Sequence, residues 1–280
     1  MQKKKIIVII GIVSIVFLAC FLIIGNNYAS DIAPDIGTDV NFETLKSSDG
    51  INLEIIESIF DSKNDDYSTY GYYPQIYSDS LQATYYALSV LDSIGKVSEI
   101  DQGEVINYVM SFYNSSSHQF VDTSAKRYLS STIPGLYLPL TTLLEVTCYA
   151  VLSLDILNAL NLIDTAETID FIWECYHPNL HGFIGQPYSA SLDEGFKVPT
   201  ADNTYYAVIT LELLISDWNG YSQERSDIVS YIDGLQSVGS NAGFYNDNEP
   251  LFDSLSEIEP NQFASFYALK TLETFGSSYV

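Results

Sequence analysis

Apolar and polar positions along the chain alternate mainly with the period of a helix. Leu81, Tyr85, Leu88 and Leu91 fall at i, i+4, i+7 and i+10, which is one helical face, and Gly95 follows as a stop. The segments "DQGEVINYV" and "DTAETIDFI" each open with Asp and carry Glu three residues later, the spacing of a capping box ahead of an apolar-periodic run. Strict two-residue alternation is weak throughout. The pattern therefore predicts an all-α fold. First helices are expected near 80–94, 143–160, 202–216 and 261–275, and second helices near 51–61, 103–113, 166–176 and 223–237. Residues 122–141 and 184–200 read as loop insertions.

The helices recur as a unit. "TYYALSVL" at Thr84 returns as "TCYAVLSL" at Thr147, "TYYAVITL" at Thr204 and "SFYALKTL" at Ser265. Thr84 to Phe120 aligns without a gap on Thr147 to Phe183, with 12 identities in 37 positions, among them Tyr86, Asp101, Glu104, Tyr113, His118 and Phe120. That is duplication, and repeated helical hairpins of this length bury their apolar faces by stacking on their neighbours. After each second helix comes a turn ending "HQF", "HGF" or "AGF".

Ahead of the repeats, Ile6 to Ile24 is uncharged and almost wholly apolar, about the length that crosses a bilayer as a helix. Lys3, Lys4 and Lys5 predict an N-terminus left in the cytoplasm and a domain placed outside it. A retained anchor is favoured over a cleaved signal peptide, for which "NNYAS" supplies small residues. The organisation expected is a basic tip at 1–5, an anchor at 6–25, a polar tether at 26–50 and a helical domain at 51–280.

Charge narrows the partners. Lys and Arg number 11 against 36 Asp and Glu, a net −25. Such a surface repels phosphate backbones, so nucleic acid is discounted. Two of the three cysteines, Cys148 and Cys175, lie in successive helices and are either a pair for an oxidising compartment or two buried thiols. Asn114-Ser115-Ser116 is a glycosylation sequon in an exposed turn.

Hairpins with an opening "TYYAL", a second helix of the "ID..E.I" type and a closing "GF" resemble the α/α-toroid superfamily over about residues 50–280. Its members include protein prenyltransferase β subunits, squalene and other terpenoid cyclases, and complement-like thioester domains. The resemblance implies an α/α-toroid of about four hairpins, where family enzymes use five or six, so the ring is expected to be incomplete or completed by another chain. "GFIGQPYSASLDEGFKVPTADNTYYAV", Gly182 to Val208, looks like the prenyltransferase turn Gly-Phe-x-Gly-Arg-Pro leading to an Asp-x-Cys-Tyr helix.

In that family the Arg helps hold a prenyl diphosphate, and the Asp, the Cys and a later His ligate zinc. Here those places hold Gln186, Asp202 and Thr204, and no His follows His181. Without thiolate or imidazole the donor set falls short of what zinc needs, so no metal and no cofactor is expected. The Asp-x-Asp-Asp segment of cyclases and the Cys-Gly-Glu-Gln of thioester domains are also absent.

The candidate acids are Asp202 and Glu145, each near a helix start where the helix dipole alone would favour a carboxylate. His118 and His181 occupy equivalent turn positions, which argues for a structural role. In the toroid family the first helices form the inner ring. That would turn Tyr85, Tyr86, Tyr149, Tyr205, Tyr206 and Tyr267 toward a central hollow suited to an isoprenoid, unless they pack between the helix layers. The expected function is a membrane-anchored, extracytoplasmic binding module for an apolar ligand or protein partner. The alternative is a prenyltransferase- or cyclase-type enzyme with a non-standard site.

Overall fold

A computed structural model describes residues 80–130, 141–237, 242–247 and 260–277. The apolar segment 6–24, the tether and the helix expected at 51–61 lie outside the described residues. Among those that are described, no helix is long and apolar enough to cross a membrane.

The described residues divide into two compact units, 86–102 in the first, and 80–85 with those from 103 onward in the second. Helix α1 (Leu81–Ser93) begins in the second and runs into the first. In the first unit Leu88 is buried and Leu91 half-buried. Gly95 ends the helix at φ +72, where its lack of a Cβ removes the strain a side chain would meet. A 3₁₀ turn at Val97–Glu99 follows, with Lys96 Nζ 2.6 Å from Glu99 Oε1.

The second unit contains α2 (Gln102–Met110, its first residue lying in the first unit), α3 (Thr123–Ser130), α4 (Leu143–Ile156), α5 (Thr165–Glu174), α6 (Ala201–Leu214), α7 (Ser222–Gly234) and α8 (Gln262–Thr274). The helical reading holds, with ends a few residues shorter than expected. α4 stops at Ile156 because Asn158 adopts φ +54, and a 3₁₀ turn at Leu160–Leu162 carries the chain on to α5.

One expectation fails. Residues 122–141 are not all loop, since 123–130 form α3. Asp122 starts it, its Oδ1 accepting the Ser124 and Ala125 amides at 2.8 and 2.9 Å, which satisfies two of the N–H groups a helix start leaves open.

The first helices of the repeats, α4, α6 and α8, pack in a row. α4 is buried at every position from Leu143 to Val151, and α6 at Ala201 and from Asn203 to Val208. A helix apolar on all sides belongs in an interior, which explains why these segments lack a polar stripe. The second helices are one-sided, α5 burying Thr168, Phe171 and Ile172, and α7 burying Ile228, Tyr231 and Ile232. Each lies on the first helix of the following repeat, α5 against α6 and α7 against α8.

Very short antiparallel strand pairs close the turns. β1 (Tyr113–Asn114) pairs with β2 (Gln119–Phe120), and β3 (Gln236–Ser237) with β4 (Gly243–Phe244). Between them Tyr176 bridges Phe183 at the equivalent place. These turns account for the hydroxyl that opens each of the following repeats, Thr147, Thr204 and Ser265. The closing aromatic of each repeat donates its backbone N–H to the hydroxyl that opens the next: Phe120 to Thr147 Oγ1 at 3.2 Å, Phe183 to Thr204 Oγ1 at 3.0 Å and Phe244 to Ser265 Oγ at 2.9 Å. The rings themselves are buried. A buried N–H without an acceptor is costly, so the repeat keeps a hydroxyl at that position.

Candidate functional site

α4 and α6 start side by side, and the side chains that cap them are joined. Thr142 caps α4 through its hydroxyl, which accepts the Glu145 amide at 3.1 Å, while Glu145 Oε2 accepts the Thr142 amide at 2.9 Å. This reciprocal capping box sits here and not at α5, where Asp164 caps by accepting the Ala166 and Glu167 amides. The Thr142 hydroxyl also donates to Asn203 Oδ1 at 2.6 Å, and Asn203 Nδ2 donates to Thr200 Oγ1 at 2.7 Å. Thr200 caps α6 and donates to Asp202 Oδ1. Asn246 completes the row, its Nδ2 3.4 Å from Asp202 Oδ2 and its carbonyl accepting the Ala201 amide at 2.7 Å.

The row also reaches the tyrosines. Tyr149 OH donates to Glu145 Oε1 at 3.4 Å and accepts from Gln82 Nε2 at 3.4 Å. Glu145 is 8% exposed, and burial pushes its pKa up to about 8, helped by the charge on Asp202 and opposed by the bonds from Thr142 and Tyr149. Its carboxyl therefore holds a proton more tightly than an exposed glutamate does. Asp202, half-buried, is held by Thr200, by its own neighbour's amide (Asn203 N at 2.8 Å) and by Asn246.

Five of the six candidate tyrosines are buried: Tyr85, Tyr149, Tyr205, Tyr206 and Tyr267. They lie against one another. Tyr85 stacks on Tyr149 at 5.5 Å, Tyr149 meets Tyr206 at 4.6 Å, Tyr206 meets Tyr205 at 4.9 Å and Tyr267 at 5.6 Å. Such edge and offset contacts add to the burial of the rings. Tyr86 is half-buried and belongs to the other unit.

Thr204 and Asp202, which the resemblance sets against the family's zinc ligands, have hydrogen-bond partners within the fold. Thr204, at the thiolate position, accepts the Phe183 amide, and Asp202 is tied into the caps. Among the described residues no three His, Cys, Asp or Glu side chains come together as a metal site would need. The turn at the Gln186 position keeps its shape for packing reasons: a Cβ on Gly185 would lie 2.6 Å from Thr142 side-chain carbons and from Tyr128 Oη. The hydroxyl of the half-buried Tyr128 is pushed above the usual phenol range, first by loss of solvent, with Cys175 and Glu145 adding to it.

The other singled-out residues have structural surroundings. His118 and His181 both stand at positive φ, 54 and 64, and each Nδ1 lies 3.1 Å from a tyrosine hydroxyl, Tyr113 and Tyr176 respectively. Cys148 and Cys175 are free thiols, both fully buried. Burial lifts Cys148 to about 12 and Cys175 well above the ordinary thiol value.

Sequence reasoning passed over Thr142, Thr200, Asn203 and Asn246. Thr142 had a readable signal, Thr-x-x-Glu before an apolar run; Thr200 acts locally, on Asp202 and Asn203, whereas Asn203 and Asn246 act through contacts between segments far apart in the chain.

No curated protein matches the chain. The family model for the prenyltransferase alpha-alpha toroid domain matches residues 41–129 and again 125–254, in keeping with an internally duplicated chain. With its repeated hairpins and a match over most of its 280 residues, the chain belongs to the prenyltransferase alpha-alpha toroid domain family.

Proposed function

We propose that this toroid domain is a non-catalytic binding module, carried on a single N-terminal membrane helix and displayed outside the cytoplasm, with a protein as its partner. One observation carries the reading. Asp202 and Thr204, which the resemblance sets against the family's zinc ligands, are committed to holding helix starts and turns together, Asp202 in the α6 cap and Thr204 on the Phe183 amide, and the other candidate acid, Glu145, is likewise committed to the α4 cap. The packing of the tyrosines against one another supports a partner at the outer surface over an apolar ligand among them. Zinc is outside this reading because Asp202 and Thr204 offer it neither thiolate nor imidazole. The run Ile6 to Ile24 with its preceding lysines supports the anchor and its orientation.

A second reading rests on Glu145. A buried carboxyl that keeps its proton near neutrality, bonded to a tyrosine that faces other aromatic rings, is the kind of group an acid-initiated cyclase or a prenyl-transferring enzyme uses.

The full chain, purified from its host membranes, separates the two. It is incubated with labelled polyprenyl diphosphates and with squalene, and its native mass is compared with its denatured mass. No turnover, no bound metal and a mass shared with a second polypeptide are the expected results. Turnover that disappears in Glu145→Gln would make the enzyme reading primary, and a co-purifying isoprenoid without turnover would replace the protein partner by an apolar ligand.

A further inference from the structure

We infer that Asn114 is a glycosylation site, accepting an oligosaccharide from a lipid-linked glycosyl diphosphate. The inference rests on the extracytoplasmic placement proposed above. Asn114-Ser115-Ser116 is the one Asn-x-Ser/Thr triplet in the chain. It occupies the tip joining β1 to β2, where Asn114, Ser115 and Ser116 are all exposed.

The repeat itself supplies a control for what this turn requires. In the first copy Asn114 Oδ1 accepts the Ser116 amide at 2.9 Å, and the Asn114 carbonyl accepts the His118 amide at 2.7 Å. At the same place in the second copy His177 Nδ1 accepts the Asn179 amide at 3.2 Å, and the His177 carbonyl accepts the His181 amide at 2.9 Å. The fold thus asks only for a side-chain acceptor, which Asp or His provides as well as Asn. Asparagine leaves something over. Among the described residues its Nδ2 carries no hydrogen bond, and neither does Ser116 Oγ two residues on.

His177 is buried and ringed by Tyr188 at 4.7 Å, whereas the Asn114 turn is open, so an enzyme can reach the carboxamide in the folded chain. Oδ1, fixed on the Ser116 amide, holds the carboxamide and the Ser116 hydroxyl in one short loop, the pair a transferase reads.

The step balances without a redox partner. Asn114 Nδ2 attacks the anomeric carbon of the donor sugar, a C–N bond forms, the bond from that carbon to the diphosphate oxygen breaks, and the lipid diphosphate leaves. One Nδ2 proton passes to a base of the transferase.

The test uses the full chain from its own host, cleaved so that the peptide Val97 to Lys126 is weighed. The expected result is a glycan mass on Asn114 that is lost in Asn114→Asp and Ser116→Ala and kept in Ser116→Thr. Asn114→Asp retains the turn's acceptor, so its loss of the glycan would not reflect misfolding. In parallel, a membrane-impermeant amine reagent is applied to intact cells. Labelled lysines with a bare Asn114 peptide overturn the site while leaving the outside placement intact. Unlabelled lysines overturn the placement and the site together, and a glycan mass that survives Asn114→Asp overturns the assignment to this residue.

Discussion

At the start of α4 the acid is Glu145, buried among Thr142, Tyr149 and the α6 cap; at the start of α6 it is Asp202, half-buried and bonded to Thr200 and Asn246. Both helices open with a threonine cap and an acid in the first turn. The same local rule thus places one carboxyl where water is excluded and another where it is not. Because burial is the first cause of Glu145's raised pKa and Asp202 only the second, the difference lies in depth more than in sequence.

Removing the buried acid should be the largest disturbance. Glu145→Ala strips the reciprocal cap and leaves a gap beside Tyr149, and a loss of about 2–4 kcal/mol in denaturant-induced unfolding is expected; Asp202→Ala should lose less than half as much. Next come the hydroxyls joining successive repeats. Thr204→Val and Thr147→Val keep the shape but leave the Phe183 and Phe120 amides without an acceptor, each expected to cost about 1–3 kcal/mol, read from unfolding midpoints.

Acidity acts on the buried end. Glu145's folded pKa lies above its unfolded value of about 4.5, so the folded state holds the proton more tightly. Its contribution is complete below pH 4.5 and is lost as pH rises toward about 8. His177, lowered by burial, works in reverse: its contribution is complete above the ordinary imidazole value of 6.5 and is lost as pH falls. Unfolding midpoints measured across that range should show both limbs, and Glu145→Gln should flatten the alkaline one alone. The smallest effect belongs to Asp202→Asn. Removing that charge should move the alkaline limb to lower pH with a stability change within about 1 kcal/mol.

Much of this architecture was legible. The constant offset from Thr84 to Phe120 onto Thr147 to Phe183, and the apolar spacing within each copy, located the helices because period and repetition are local properties of a sequence. The helix at 123–130 was passed over although Asp122 carried a cap signal, since eight residues give too short a window for a period to stand out. The site was less readable. Glu145 and Asp202 could be named as acids at helix starts, but the Thr142–Asn203 bond that joins the two caps spans 61 residues, and nothing in a local pattern encodes such a pairing. The tyrosines were correctly set on first helices, whereas their contacts with each other depend on how α4, α6 and α8 pack.

The hydroxyls at Thr147, Thr204 and Ser265 bear on what can be cut from this protein. Each is written at the start of one sequence repeat but serves the end of the one before, and α5 and α7 likewise rest on the helix that follows them. The physical module is therefore out of phase with the written one, consisting of a second helix, its turn and the next first helix. A fragment ending at Phe183 would carry a buried donor with its acceptor discarded, while one ending after Leu214 would keep that bond. Domain boundaries for this chain belong after the first helices, at positions a repeat alignment would treat as the middle of a unit.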